Sequence, residues 1–114
     1  MTEVSADFSP AKLDASQREV LLDILSSLRQ KLPELEARFQ VESLHLFGSF
    51  VQGRQRRRSD LDILVAFSEV PTLFQFLALE RYLGELLGIK VDLVLKKALK
   101  PRIGKHILAE AIPV

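Results

Sequence analysis

The sequence predicts a single α+β domain, and three observations carry that reading. Apolar runs of strand length occur at 41–47, 61–67 and 89–95. Stretches with apolar residues three and four apart lie before, between and after them, which is the helical period. The chain has 114 residues, enough to bury one core and too few for a second. Composition agrees: 47% hydrophobic and 27% charged residues are ordinary for a globular domain and far from disorder.

Residues 1–13 show no periodicity and are expected to form a loose lead-in to one domain over 14–114. From Asp14 onward the pattern is helical, with Val20, Leu21, Ile24, Leu25, Leu28 and Leu32 on the inward stripe. Ser16 with Glu19 fits a capping box, and Asp14 is the other candidate start. Pro33 is expected to end this helix, because proline has no amide hydrogen and collides with the preceding turn. Residues 34–40 then give a further turn or two before the first strand, 41–47, which Gly48 stops. His45 in that strand reads as a core or edge histidine with one hydrogen bond in preference to a catalytic group. Ser49 to Gln52 fit one helical turn closed by Gly53, and 54–59 reads as a solvated basic loop.

In the second strand Leu61, Ile63, Val65 and Phe67 share one face, and Asp60, Asp62, Leu64 and Ala66 share the other. After a turn at 68–71, Thr72 and Gln75 fit a capping box. Leu73, Phe74, Phe76, Leu77, Tyr82, Leu83, Leu86 and Leu87 are expected to form one broad apolar helix face, ended by Gly88, with Gly84 marking close packing. Residues 89–95 make the third strand. Pro101 suits the first position of a last helix, with Ile103, Ile107, Leu108 and Ala111 inward, and Pro113 closes the chain.

Several function classes are excluded. Without cysteine there is no disulfide framework, thiolate nucleophile or cysteine zinc site. His45 and His106 lack ligand-like spacing. No signal-like segment or apolar run of membrane-span length occurs, so the expectation is a cytoplasmic protein without a membrane partner. The net charge of +1 argues for no particular partner, but its distribution is uneven. Residues 1–42 hold eight acids and five bases, whereas 43–114 hold seven acids and eleven bases, so the second part is locally basic where an anionic substrate would sit.

The chemistry concentrates between Gly48 and Asp62. Asp60 and Asp62 are two apart, so in a strand both side chains leave the same face and can grip one divalent cation. Gly48 and Ser49 offer an approaching phosphate an unobstructed backbone and a hydroxyl donor. Asp92 lies among Val91, Leu93, Val94 and Leu95 and is expected in an apolar setting, where an ionised carboxylate is costly without a cation or donor. If the two strands are adjacent, the three carboxylates converge into a site of hard oxygen ligands suited to magnesium or manganese. The third ligand leaves room for two ions serving an in-line phosphoryl displacement.

The motif Gly48-Ser49, Gly53, Ser59-Asp60-X-Asp62 and Asp92 within Val-Asp-Leu-Val resembles that of the polymerase-beta-like nucleotidyltransferase superfamily. Within it the chain is most similar to the minimal nucleotidyltransferases (MNT), whose partners are HEPN-domain proteins. Ala98 to Arg102 and Ile107 to Ala111 also look typical of that group. The resemblance implies a small mixed β-sheet flanked by helices. It makes Gly48 and Ser49 nucleotide contacts together with Gly53 and Ser59, and Asp60, Asp62 and Asp92 the catalytic carboxylates and ligands of two magnesium ions. Asp92 would in addition be a candidate base for the acceptor hydroxyl. It implies transfer of AMP from ATP to a tyrosine of a HEPN ribonuclease toxin, in a hetero-oligomer in which the chain acts as antitoxin. One position departs from the pattern: Gln52 stands where the family often has arginine, with Arg54 and Arg56 near enough in sequence to replace its charge.

Related enzymes carry a further domain to hold the acceptor, and this chain ends soon after Asp92, so the acceptor surface is expected from a partner. Two alternatives remain: an antitoxin acting by complex formation alone, and transfer to a small molecule or RNA. Arg54, Arg56, Arg57 and Arg58 suit ATP steering, an acidic partner or RNA, or form a solvated loop with no fixed role. No aromatics interleave with them, so stacking on RNA is unsupported and direct nucleic-acid binding is not expected.

Overall fold

A computed structural model describes residues 13–54 and 59–114. Helix α1 spans Ala15–Phe39, strand β1 Val41–Phe47, the one-turn helix α2 Ser49–Gln52, and strand β2 Leu61–Phe67. Helix α3 spans Leu73–Leu87 and strand β3 Val91–Leu95. A 3-10 turn at Lys96–Ala98 leads to helix α4, Pro101–Glu110, and strand β4, Ile112–Pro113. The strands form one sheet in the order β3-β2-β1-β4, with β1 antiparallel to both β2 and β4 and β2 parallel to β3. The fold is therefore α+β with a small mixed sheet, as expected.

Helix α1 begins two residues earlier than Ser16 and Glu19 suggest, with Asp14 as its cap. The Asp14 carboxylate accepts from Gln17 N–H at 2.7 Å, and Gln17 Oε1 accepts from Asp14 N–H at 3.0 Å, a reciprocal pair that satisfies two otherwise open amides. Pro33 does not end the helix but lies inside it. An internal proline costs roughly 3 kcal/mol, but burying a leucine returns about 2 kcal/mol. Beyond Pro33, Leu35 is fully buried and Phe39 packs on the core beside Leu32, so continuing the helix is favourable. Its end comes at Gln40, left-handed at φ 61°, whose N–H donates to the carbonyls of Leu35 and Glu36. Of the inward stripe, Leu21, Ile24, Leu25 and Leu28 are buried, whereas Val20 points to solvent. Of the expected lead-in, residues 1–12 lie outside the described residues and Leu13 is buried in the core, so packing starts one residue before Asp14.

One sheet face carries the core. Leu44 and Leu46 of β1, Leu61, Ile63 and Val65 of β2, and Val91 and Leu93 of β3 are all buried, and α1 and α3 close over them through Leu21, Leu28, Leu79 and Leu83. Strand β3 starts at Val91, two residues later than expected, because Gly88 caps α3 in the left-handed region and Lys90 serves the sheet only through its carbonyl, bonded to Leu61 N–H at 2.9 Å. The Thr72–Gln75 capping box of α3 is present. Gly84 packs closely as expected, since a Cβ there would lie 3.3 Å from the Ile89 carbonyl oxygen.

The broad apolar face expected of α3 is not buried as a whole. Only Leu79 and Leu83 are fully covered, while Leu73 and Phe74 are 69% and 84% exposed. The apolar residues span more of the helix circumference than one sheet can cover. Helix α4 differs in the same way: Pro101 opens it as expected, but Ile103 and Leu108 are exposed, Ile107 and Ala111 are half-buried, and Gly104 is the buried contact. Where Pro113 was expected simply to close the chain, Ile112–Pro113 add an edge strand to β1, fixed by Val114 N–H to the Leu44 carbonyl at 3.0 Å.

Candidate active site

The second sheet face carries the candidate carboxylates. Register places Phe47 of β1 opposite Asp62 of β2, and Asp62 beside Asp92 of β3, so the three form a row across the sheet on the side facing away from α1 and α3. The Asp62 carboxyl is pushed up to about 6 by burial first, then by the charges of the neighbouring Asp92 and Asp60. Neighbouring carboxylates resist ionising together, so Asp62 keeps its proton to a higher pH than a free carboxyl does.

Gly48 is required by two constraints at once. Its φ of 82° and ψ of −152° suit glycine alone, and a Cβ added there would sit 2.0 Å from Asp62 Oδ2. The glycine turn and the carboxylate thus occupy one another's space, which brings the two halves of the motif together. Helix α2 holds the turn: Val51 and Gln52 N–H both donate to the Gly48 carbonyl at 3.1 Å, and Arg54 N–H donates to Ser49 O at 2.9 Å past the left-handed Gly53. Phe50 and Val51 are buried beneath it, and Gln17 of α1 donates to the Gly53 carbonyl at 3.0 Å.

Asp92 was expected to be buried and is exposed. Its apolar sequence neighbours mislead because they face the opposite way: Val91 and Leu93 enter the core, so the residue between them leaves it. Asp60 is half-buried one residue before β2, with Lys90 Nζ 3.9 Å from its Oδ2. Ser59 precedes it, half-buried. Among the described residues no three carboxylate or imidazole groups stand ready as a closed metal cage; the close pair is Asp62 with Asp92. Of the basic loop, Arg56, Arg57 and Arg58 lie outside the described residues, and Arg54 is exposed.

His45 is half-buried, and its Nδ1 lacks the hydrogen bond expected of it. Burial, then the charge of Lys96, holds it below the ordinary imidazole value, so it is neutral at pH 7. Two contacts had no signal in the sequence. Gln52 Nε2 donates to Glu110 Oε1, tying the glycine turn to α4 across 58 residues. Glu80 of α3 accepts from the outward Leu93 N–H of β3 at 2.9 Å, which covers a free sheet edge.

Known proteins resemble this chain in sequence and fold. The model of the Nucleotidyltransferase domain family matches residues 26–114. A protein adenylyltransferase, MntA, of Thermococcus cleftensis is 47% identical over 94 residues, 82% of this chain and 95% of that one. A solved structure provisionally described as a minimal nucleotidyltransferase superposes with a TM-score of 0.69 at 41% identity, covering 82% of this chain and 95% of the other. A solved toxin-antitoxin structure with AMP-PNP gives 0.59 at 27% identity, over 79% of this chain and 68% of that one. The chain belongs to the nucleotidyltransferase domain family. Within it the chain sits with the minimal nucleotidyltransferases, and it is an enzyme of that class.

Among the described residues no helix is long and apolar enough to cross a membrane.

Proposed function

We propose that this chain transfers AMP from ATP to a tyrosine hydroxyl of a HEPN ribonuclease toxin, and so acts in the cytoplasm as an antitoxin within a hetero-oligomer. The observation that carries the reading is the Asp62–Asp92 pair lodged against Gly48. The name of the Thermococcus relative and the AMP-PNP complex of a toxin-antitoxin pair support it.

The donor set fits magnesium. It consists of carboxylates alone, and Asp92 and Asp60 repel the charge of Asp62, a repulsion that a hard cation relieves. Asp60, Asp62 and Asp92 would hold the metal, as two ions, which when bound neutralises phosphate charge and acidifies the attacking hydroxyl. The chain's own residues do the rest. Gly48 lets a phosphate approach the backbone, and Ser49 donates a hydroxyl to it, with Gly53 and Ser59 as further nucleotide contacts. Asp92, the exposed member of the pair, would take the proton of an incoming hydroxyl. The acceptor oxygen forms a bond to the α-phosphorus, the bond to the β-phosphate oxygen breaks, and pyrophosphate leaves. Neutral His45 has no part in these steps, and direct nucleic-acid contact is not needed.

Incubation with ATP, magnesium and the HEPN partner tests the reading: the partner should gain the mass of AMP, and removal of its target tyrosine should abolish the gain. A folded pair without added mass would favour neutralisation by complex formation alone. A labelled small molecule or RNA without labelled partner would favour the third acceptor class.

A further inference from the structure

Asp62 and Asp92 sit on strands of unequal support. Strand β2 lies between β1 and β3 and is hydrogen-bonded on both sides, whereas β3, which carries Asp92, is the outer strand of the sheet. Its ladder to β2 uses the Lys90 carbonyl and alternate groups beyond it, so the Leu93 N–H faces outward. A strand bonded on one side opens more easily than a central one. Glu80 of α3 supplies one bond where a further strand would supply a row: its carboxylate, half-buried, accepts from Leu93 N–H at 2.9 Å. Leu93 follows Asp92 directly. We infer that Glu80 is a positioning residue for Asp92, clamping the 92–93 peptide from the open side of the sheet so that the Asp92 carboxylate keeps its place beside Asp62 while the acceptor enters. The inference rests on the reading of Asp92 as a catalytic carboxylate and adds what holds that carboxylate still.

Asp92 needs such support more than Asp62 does. The Asp62 carboxylate is wedged against Gly48, whereas Asp92 is exposed, so its position depends on its own backbone. The helix is built to reach that backbone. Glu80 and Gly84 are four residues apart and share one face of α3. Gly84 lets that face press against the chain entering β3, since a Cβ there would lie 3.3 Å from the Ile89 carbonyl oxygen. One turn back along the helix, the Glu80 side chain meets Leu93 further along the strand. Arg81 and Lys90 line the same groove, but they are drawn to Glu85 and Asp60, at 3.6 Å and 3.9 Å. Glu80 is thereby left to the amide. A bond from an amide to a carboxylate is of the stronger kind, roughly twice a neutral one, which suits a single contact standing in for a ladder.

Transfer kinetics with the HEPN partner, ATP and magnesium test this on the native chain, Glu80→Ala, Glu80→Gln, Asp92→Asn and the double variant Glu80→Ala with Asp92→Asn. Circular dichroism and urea titration set the folded fraction, and rates are taken per folded molecule. Glu80→Ala should lower kcat by about tenfold or more, since a catalytic group displaced by about 1 Å loses on the order of a hundredfold, and should leave KM for ATP unchanged. Glu80→Gln, whose amide oxygen still accepts from Leu93 N–H, should recover most of the loss. Against the residual rate of Asp92→Asn, adding Glu80→Ala should cost almost nothing further, because the two residues act through one group. Hydrogen exchange should find the Leu93 amide about tenfold less protected in Glu80→Ala than in the native chain, the value of one such bond. A native rate in Glu80→Ala, or its full loss repeated on top of Asp92→Asn, would overturn the positioning role. Loss of rate that accompanies self-association at the freed edge and is restored by dilution would overturn it too, since Glu80 would then guard the edge and not Asp92. A native chain that transfers nothing, or Asp92→Asn as active as the native chain, would overturn the parent reading and this one together.

Discussion

Strand β2 has two faces with opposite roles, and comparing them explains how so small a domain supports a strained site. On one face Leu61, Ile63 and Val65 are fully buried under α1 and α3. On the other, Asp62 sits between Phe47 and Asp92, one residue from the core on either side. The core face gains from every side chain it buries. The other face gathers like charges and holds Asp62 protonated well above the ordinary carboxylate range. Because side chains alternate, the two demands meet in one strand without sharing a contact.

Gly48→Ala should break the separation most severely. The new Cβ collides with the Asp62 carboxylate, so Asp62 must move, and displacing a catalytic group by about 1 Å costs on the order of a hundredfold in rate. The disfavoured φ adds a stability loss of about 1–2 kcal/mol, readable in a urea titration. Ile63→Ala should show the converse, a loss of about 3 kcal/mol in the same titration, with transfer activity per folded molecule little changed.

The carboxylate pair should announce itself through pH. In metal-free protein the folded pKa of Asp62 lies near 6, above its unfolded value, so the folded state binds the extra proton. Its contribution to stability is complete below about pH 4 and disappears as pH rises through about 6. Asp62→Asn should remove that slope and leave the protein at least as stable as the native chain at pH 7. Magnesium binding should weaken as pH falls through the same window, because the proton competes for the ligand; calorimetric titrations at pH 7.5 and 5 would measure it. The smallest effect should come from Phe74→Ser, at 84% exposure: a stability change within about 0.5 kcal/mol by the same urea titration.

What the sequence disclosed follows the range of the interactions. The Thr72–Gln75 capping box, the α2 turn closed by Gly53 and Pro101 at a helix start are local, and each is present. Gly48 with Asp60 and Asp62 was legible because residue type and two-residue spacing already contain the geometry. Pro33 misled because its local cost is outweighed by tertiary burial of Leu35, which no short window displays. Asp92 misled because its apolar neighbours were read as its surroundings, although alternation sends them to the other face. The two-residue strand β4 is too short to show a period, and the bond from Gln52 to Glu110 joins residues far apart in the chain. Such contacts have no signature in one sequence.

The most direct test of the account is the intact mass of the HEPN partner after incubation with ATP and magnesium, using the native chain and Asp62→Asn. The native chain should add AMP. Asp62→Asn, folded and still bound to the partner, should add it roughly a thousandfold more slowly, as loss of several kcal/mol of charge stabilisation requires. Equal labelling by the two chains would contradict the assignment of this end of β2 as the catalytic centre.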